Sequence, residues 1–245
     1  MRMRYLPVAM AALLCGCVGA NEQNVPTFPQ TRWNMDAATV MEAYDLEPAS
    51  VKQYDAGRGR TLVLSGKEAF GARAETITFL FINLKQGESG DFPAFSESDQ
   101  AALNHQEVLA SVLVQYPKET DWETIVSELD ARYGKAAVEE VTLFPLFSAL
   151  DANMAVQQVE ASDGCKVWGS EPIEEWLEGK DAAYYEENWK KYRPDLASEE
   201  DWDRLCREGR MVTIVCEENQ GAPSVRFDAY DLAVYNELKA AAGED

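Results

Sequence analysis

Residues 75–84 read ETITFLFINL and residues 107–116 read EVLASVLVQY, and these two stretches decide the fold. In an extended chain successive side chains point to opposite faces, so Ile77, Phe79 and Phe81 share one side of the first stretch. Thr76, Thr78, Leu80 and Ile82 share the other, which turns apolar towards its end and predicts a strand inside a sheet. In the second stretch Val108, Ala110, Val112, Val114 and Tyr116 alternate onto one face and predict a neighbouring strand. The segment between them, 85–104, is polar and rich in Gly and Ser, a long loop. Upstream, the apolar run 61–64 lies between Gly59 and Gly66, and Phe70-Gly71 marks a turn. Strands that follow one another through turns predict antiparallel pairing.

Helices flank these strands. Asp36 is placed to cap a helix reaching Tyr44, with Val40 and Tyr44 on one face and Trp33 just before it. Thr120-Asp121-Trp122-Glu123 reads as a capping box with Thr120 as the cap. The helix it opens carries Trp122, Ile125, Val126, Leu129 and Tyr133 at core spacing and closes at Gly134. The second half predicts strands at 138–147, 154–160 and 165–168, a helix at 171–193 ended by Pro194, and a helix at 199–208 between Ser198 and Gly209. A strand at 211–217, a hairpin loop at 219–223, a return strand at 224–230 and a helix at 232–241 complete it. The expectation is an α+β fold: a mostly antiparallel sheet with helices packed on one face and a helical insertion in the second half. Residues 33–241 are read as a single domain, with two halves at 33–135 and 136–241 as the alternative.

The N-terminus is an address. Arg2 and Arg4 precede an apolar run, 6–14, broken only by Pro7 and shorter than the roughly 20 residues a bilayer demands. This is the order of a secretory signal peptide. Leu14-Cys15-Gly16-Cys17 resembles the lipobox of bacterial lipoproteins. The resemblance implies cleavage after Gly16 and a diacylglyceryl group on the Cys17 sulfur. Cleavage before Cys15 would put bulky Leu14 where a small residue belongs. Residues 1–16 are therefore read as signal peptide and 17–32, with Pro26 and Pro29, as lipidated Cys17 and tether. Two acyl chains give stable anchoring, so the protein is expected to be exported and held at the cell membrane or outer membrane. Trp33, the helix to Tyr44, the Phe70-Gly71 turn and the helix ending in Tyr133-Gly134 together have an outline similar to the small SmpA/BamE-type lipoprotein domain. The likeness covers roughly half the chain, consists of structural punctuation and carries no partner or site with it.

With 43 acidic and 22 basic residues the net charge is −21. That opposes nucleic-acid binding, which depends on cations meeting phosphates, and opposes lying flat on anionic lipid. The 46% of hydrophobic residues suffices for a sizeable core.

Chemistry-bearing motifs are sparse. His105 is the only histidine, no G-x-S-x-G surrounds a serine, and His105 reads as a residue at a strand entry. Paired carboxylates occur at Glu139/Glu140, Glu174/Glu175, Glu186/Glu187, Glu199/Glu200 and Glu217/Glu218. A glycosidase needs two carboxyl groups facing each other about 5 Å or about 6.5–9.5 Å apart, which chain spacing alone does not select. Zinc, calcium and phosphate-loop spacings are missing, so no metal and no cofactor are expected. Beyond the anchor, Cys165, Cys206 and Cys216 allow one bridge; a turn at Gly209 favours Cys206–Cys216, and three free thiols are the competing expectation. Tyr185, Trp189 and Tyr192 fall on one helical stripe, which suits either core packing or an exposed surface that stacks on a sugar or anchors a partner. The functional expectation is a non-enzymatic module, anchored through Cys17, that binds an envelope protein or glycan. The alternative is a carboxylate-dependent envelope hydrolase acting on carbohydrate.

Overall fold

The structure, a computed structural model, describes residues 25–47, 52–55, 59–84, 107–143, 157–193, 195–219 and 221–244. The alternating run at 75–84 becomes a strand, and the chain order of strands is β1 (Lys52–Asp55), β2 (Gly59–Ser65), β3 (Glu68–Ala69), β4 (Ala72–Arg73), β5 (Thr76–Ile82) and β6 (Val108–Gln115). The second half adds β7 (Glu140–Leu143), β8 (Gln157–Glu160), β9 (Cys165–Gly169), β10 (Thr213–Asn219) and β11 (Ala222–Asp228). The helices are α1 (Ala37–Ala43), α2 (Trp122–Tyr133), α3 (Ile173–Trp176), α4 (Ala182–Trp189), α5 (Glu199–Glu208) and α6 (Tyr230–Ala242).

Among the described residues seven strands form one antiparallel sheet in the order β1-β2-β5-β6-β11-β10-β9. The fold is α+β, with β5 inside the sheet as its two apolar faces require. Strand β6 from the first half pairs with β11 from the second, so one sheet runs through both halves of the chain.

Opposed residues Leu62, Phe79, Val112, Phe227, Ile214 and Trp168 cross the sheet as one row and point to its inner face. Val40 of α1 and Ile125 and Leu129 of α2 join the same core. Phe28 stands at its centre, edge-on to Phe70, Phe79 and Phe227 at 5.8, 5.6 and 5.4 Å between ring centroids. Such pairs contribute about 0.5–1.5 kcal/mol beyond area burial. The Trp33 indole N–H donates to the Pro26 carbonyl, and the Tyr44 and Tyr133 hydroxyls donate to those of Pro29 and Thr27. The tether expected at 17–32 is thus corrected: from Val25 to Arg32 the chain is pinned to the domain by Phe28 and these hydrogen bonds. Residues 17–24 lie outside the described ones.

Local differences have identifiable causes. Leu80 opposes Ser111 and Phe81 opposes Leu109, so Ala110 is an extra residue in β6. One inserted residue reverses the facing of everything beyond it, which puts Leu109, not Ala110, opposite Phe81 in the core. Helix α2 is capped by Asp121, whose carboxylate accepts from the Thr124 N–H; the Thr120 hydroxyl instead serves the Pro117 carbonyl. The helix expected over 171–193 divides into α3 and α4, because Gly179 turns the chain at φ +76° and Asp181 caps a new start. Phe70 and Gly71 both take positive φ in the two-residue β3–β4 hairpin. A Cβ on Gly71 would also meet Thr124 and Glu128 of α2 at 3.0 and 3.1 Å.

Helices α4 and α6 are joined by a buried ion cluster. The Arg193 guanidinium, fully buried, donates through Nε and Nη2 to Asp195, each at 2.8 Å, and through Nη1 to both Asp231 oxygens at 3.0 and 2.9 Å. The Trp189 indole N–H donates to Asp231 as well. Burial works against the charge of Arg193, but Asp231 and then Asp195 outweigh it and hold the group protonated.

All three described cysteines are free, which corrects the Cys206–Cys216 bridge. Cys206 sits on α5, where burial and then the carboxylates of Asp203, Glu174 and Glu186 push its thiol up to about 12. Cys216 is buried on β10 opposite Val225, in the core of the sheet. Gly209 does not fold α5 back over β10: its extended backbone leads to the Pro172–Arg210 bridge, so α5 is bonded to the start of α3 instead. Cys165 opposes Glu217 while Cys216 opposes Lys166, so those two thiols point to opposite faces.

Candidate functional site

The outer face of the sheet holds the site. Alternation sends Val167, Val215, Arg226, Leu113 and Thr78 to it as one cross-strand row, and Cys165, Glu217, Ser224, Gln115 and Thr76 as the next. The β7–β8 hairpin lies on the Val167 end of this face, where Val141 and Leu143 pack on Val167 and Val215 as a small second core. Strands β6 and β11 lie beyond the hairpin, and β8 stands over them as a wall. A groove of about 890 Å³ opens between wall and sheet, a size common for small-molecule sites. Gln157, Gln158, Val159 and Glu160 line the wall; Leu113, Gln115, Ser224 and Arg226 line the floor; Glu75, Lys118 and Glu217 complete the rim.

Arg226 ties floor to wall. It is half-buried, Leu113 is its register partner, and its Nη1 donates to the Gln157 Oε1 at 3.1 Å. No carboxylate lies within ion-pair distance of it among the described residues, because Val215 occupies the opposing position on β10. The Thr76 hydroxyl donates to the Gln115 Oε1 at 3.0 Å, which steadies the floor amide.

One row further along the same face lie Thr213, Asp228 and Ser111. Asp228 is buried; its Oδ1 accepts from the Tyr230 N–H at 3.1 Å, whereas its Oδ2 and the Thr213 Oγ1 have no hydrogen-bond partner among the described residues. Burial raises the Asp228 carboxyl to about 6.

The residues singled out from sequence fare unequally. Tyr185 and Trp189 are each 0% exposed, which removes them as an interaction surface. Tyr185 stacks on Tyr235 and its hydroxyl reaches Glu244, while Trp189 packs on Trp202. Tyr192 is half-buried and its carbonyl accepts the Tyr230 hydroxyl. The stripe is a core stripe because α4 has neighbours all along it. Cys17 and His105 lie outside the described residues. Of the paired glutamates only Glu217 lines the groove, joined by Glu75 and Glu160 from other elements. Gln115, Gln157 and Arg226 were not foreseen; their polar places in the strand alternation were visible, but not the wall that makes them a groove. Among the described residues no cluster of His, Cys, Asp or Glu is set to hold a metal ion, and no helix is long and apolar enough to cross a membrane. Comparison with family profiles, curated proteins and solved structures finds no match.

Proposed function

We propose that this protein is an exported lipoprotein, held at the cell membrane or outer membrane by lipid on Cys17, whose domain binds an envelope component without altering it chemically. The observation that carries this reading is Leu14-Cys15-Gly16-Cys17, placed at the end of a short apolar run behind Arg2 and Arg4. Its partner is an envelope protein or glycan, and the open polar groove beside β8 is where the domain would hold it. Because the chain is pinned to the domain from Val25 onward, the leash from Cys17 reaches at most about 29 Å at full extension, so the domain works close to the bilayer surface. Radioactive palmitate fed to cells should label the wild type and not Cys17→Ala, and the variant should leave the membrane fraction. An unlabelled wild type would overturn the anchor. Crosslinking in intact cells should capture an envelope component on the wild type that Cys17→Ala loses.

The second reading, a carboxylate-dependent hydrolase of envelope carbohydrate, has one observation in its favour: Glu75, Glu160 and Glu217 line the same groove. It requires that the purified protein cleave cell-wall glycan and that Glu217→Gln or Glu160→Gln abolish the cleavage. The binding reading expects no cleavage by the wild type.

A further inference from the structure

We propose that the groove between β8 and the sheet takes a short peptide, with the peptide's free carboxylate on the Arg226 guanidinium and its ammonium end towards the rim glutamates. This rests on the reading of the domain as a binding module. The floor cation is the starting point. A guanidinium presents five N–H donors in a planar fork that matches a carboxylate. The hydrogen bond Arg226 makes is to the neutral Gln157 amide, and no described carboxylate lies within ion-pair distance of it; Asp228, buried one row along the same face, feels its charge without pairing to it. Half-burial reduces the solvent screening that would otherwise weaken an ion pair there.

The charge of the protein narrows the ligand further. At −21 overall, its field repels a purely anionic molecule such as a polyphosphate. A zwitterion carries no net charge into that field and brings an ammonium that Glu75 and Glu217 at the rim and Glu160 on the wall can receive. Between the two ends, Gln115, Gln157, Gln158 and Ser224 offer donors and acceptors together, which suits the alternating N–H and C=O groups of a peptide backbone. A glycan is the less favoured occupant because sugars take aromatic platforms. The ring in the lining, Tyr116, is 2% exposed, with its hydroxyl given to the Ala69 carbonyl.

Isothermal titration calorimetry of the full chain in detergent tests this, with trialanine, trialanine C-terminal amide, N-acetyl-trialanine and chitotriose as probes. Trialanine should bind; blocking its carboxylate or changing Arg226→Gln should each weaken binding about tenfold or more. Arg226→Lys should recover part of the loss, since it restores charge without the fork. N-acetylation should weaken binding by a smaller factor, because the rim glutamates are exposed. Circular dichroism shows whether Arg226→Gln keeps its fold, and Gln157→Ala, which leaves the guanidinium in place, should weaken trialanine only a few-fold. Equal binding of trialanine to wild type and a folded Arg226→Gln overturns the assignment. Chitotriose binding without trialanine binding also overturns it, while leaving the groove as a binding site. Binding of neither probe overturns it too, and the wider reading then stands or falls on the crosslinking from intact cells.

Discussion

Arg226 and Phe227 are neighbours on β11 and point to opposite faces of the sheet into opposite surroundings. Phe227 meets Phe28, Phe70 and Tyr133 in a dry aromatic core. Arg226 lies on the floor of an open groove lined by amides and carboxylates. From β2 to β9 the inner face is covered by chain that cannot leave without losing apolar burial. The outer face is covered at one end by a two-stranded hairpin, and its row Thr61, Leu80, Ser111, Asp228 and Thr213 is buried too, so only the stretch around Arg226, Ser224 and Gln115 stays open to make contacts.

The largest break in that comparison comes from the inner face. Phe227→Ala should cost about 3–5 kcal/mol, read as a lower urea midpoint with an unchanged slope. Leu113→Ala, half-buried on the groove floor, should cost well under that. Similar losses at the two positions would mean that the faces do not differ as described.

Arg193→Met should be nearly as damaging, about 3–5 kcal/mol, because Asp231 and Asp195 are left in the interior without their cation. Adding Asp231→Leu to that variant should recover part of the loss. If the single change is harmless, the cluster is not the joint between α4 and α6.

Asp228 sharpens the comparison at the point where the outer face is buried. Its folded-state value, about 6, lies above the ordinary 3.8, so the protonated form favours folding. That contribution is complete below about pH 4 and is lost as pH rises through about 6. Asp228→Asn should remove this slope and raise stability above pH 7 by up to about 3 kcal/mol, seen as a higher Tm at pH 7.5 and little change at pH 4. Asp130, Asp201 and Glu244, held low first by hydrogen bonds from Lys135, Ser198 and Lys180, act in the opposite sense and lose their contribution only at more acid pH. Comparing variant with wild type at each pH isolates Asp228 from them. An unchanged pH slope in the variant would place the burial penalty elsewhere.

The smallest effect belongs to the groove floor. Gln115→Ala should leave stability within about 0.5 kcal/mol by the same urea assay, while weakening any ligand the groove holds. A loss of more than 1–2 kcal/mol would make Gln115 a packing residue.

Much of the fold was legible because it is written locally. Alternation at 75–84 and 107–116, Asp36 and Ser198 as caps, and Phe70-Gly71 as a turn each need only a few consecutive residues, and each has its counterpart in the structure. The errors share a different cause. The stripe of Tyr185 and Trp189 has the same period whether it faces solvent or Tyr235 and Trp202. Cys206 and Cys216 are close in sequence, but the turn between them serves a bridge to α3. The shift at Ala110 depends on a partner strand thirty residues away. Arg226 drew no reading from the sequence, because only β8 beside it makes its place on β11 a groove floor.

By itself the sequence determined most of the helices and strands, though not β1 or the division of 171–193, together with the acidic balance and the proposed lipid address at Cys17. Alternation and capping act between near neighbours, so a few consecutive residues carry them. Only the tertiary structure decided strand order, the pairing of β6 with β11, the freedom of the three cysteines and the existence of the groove. Each of these depends on which distant residues come into contact, and the same local pattern is compatible with many such pairings until burial selects one.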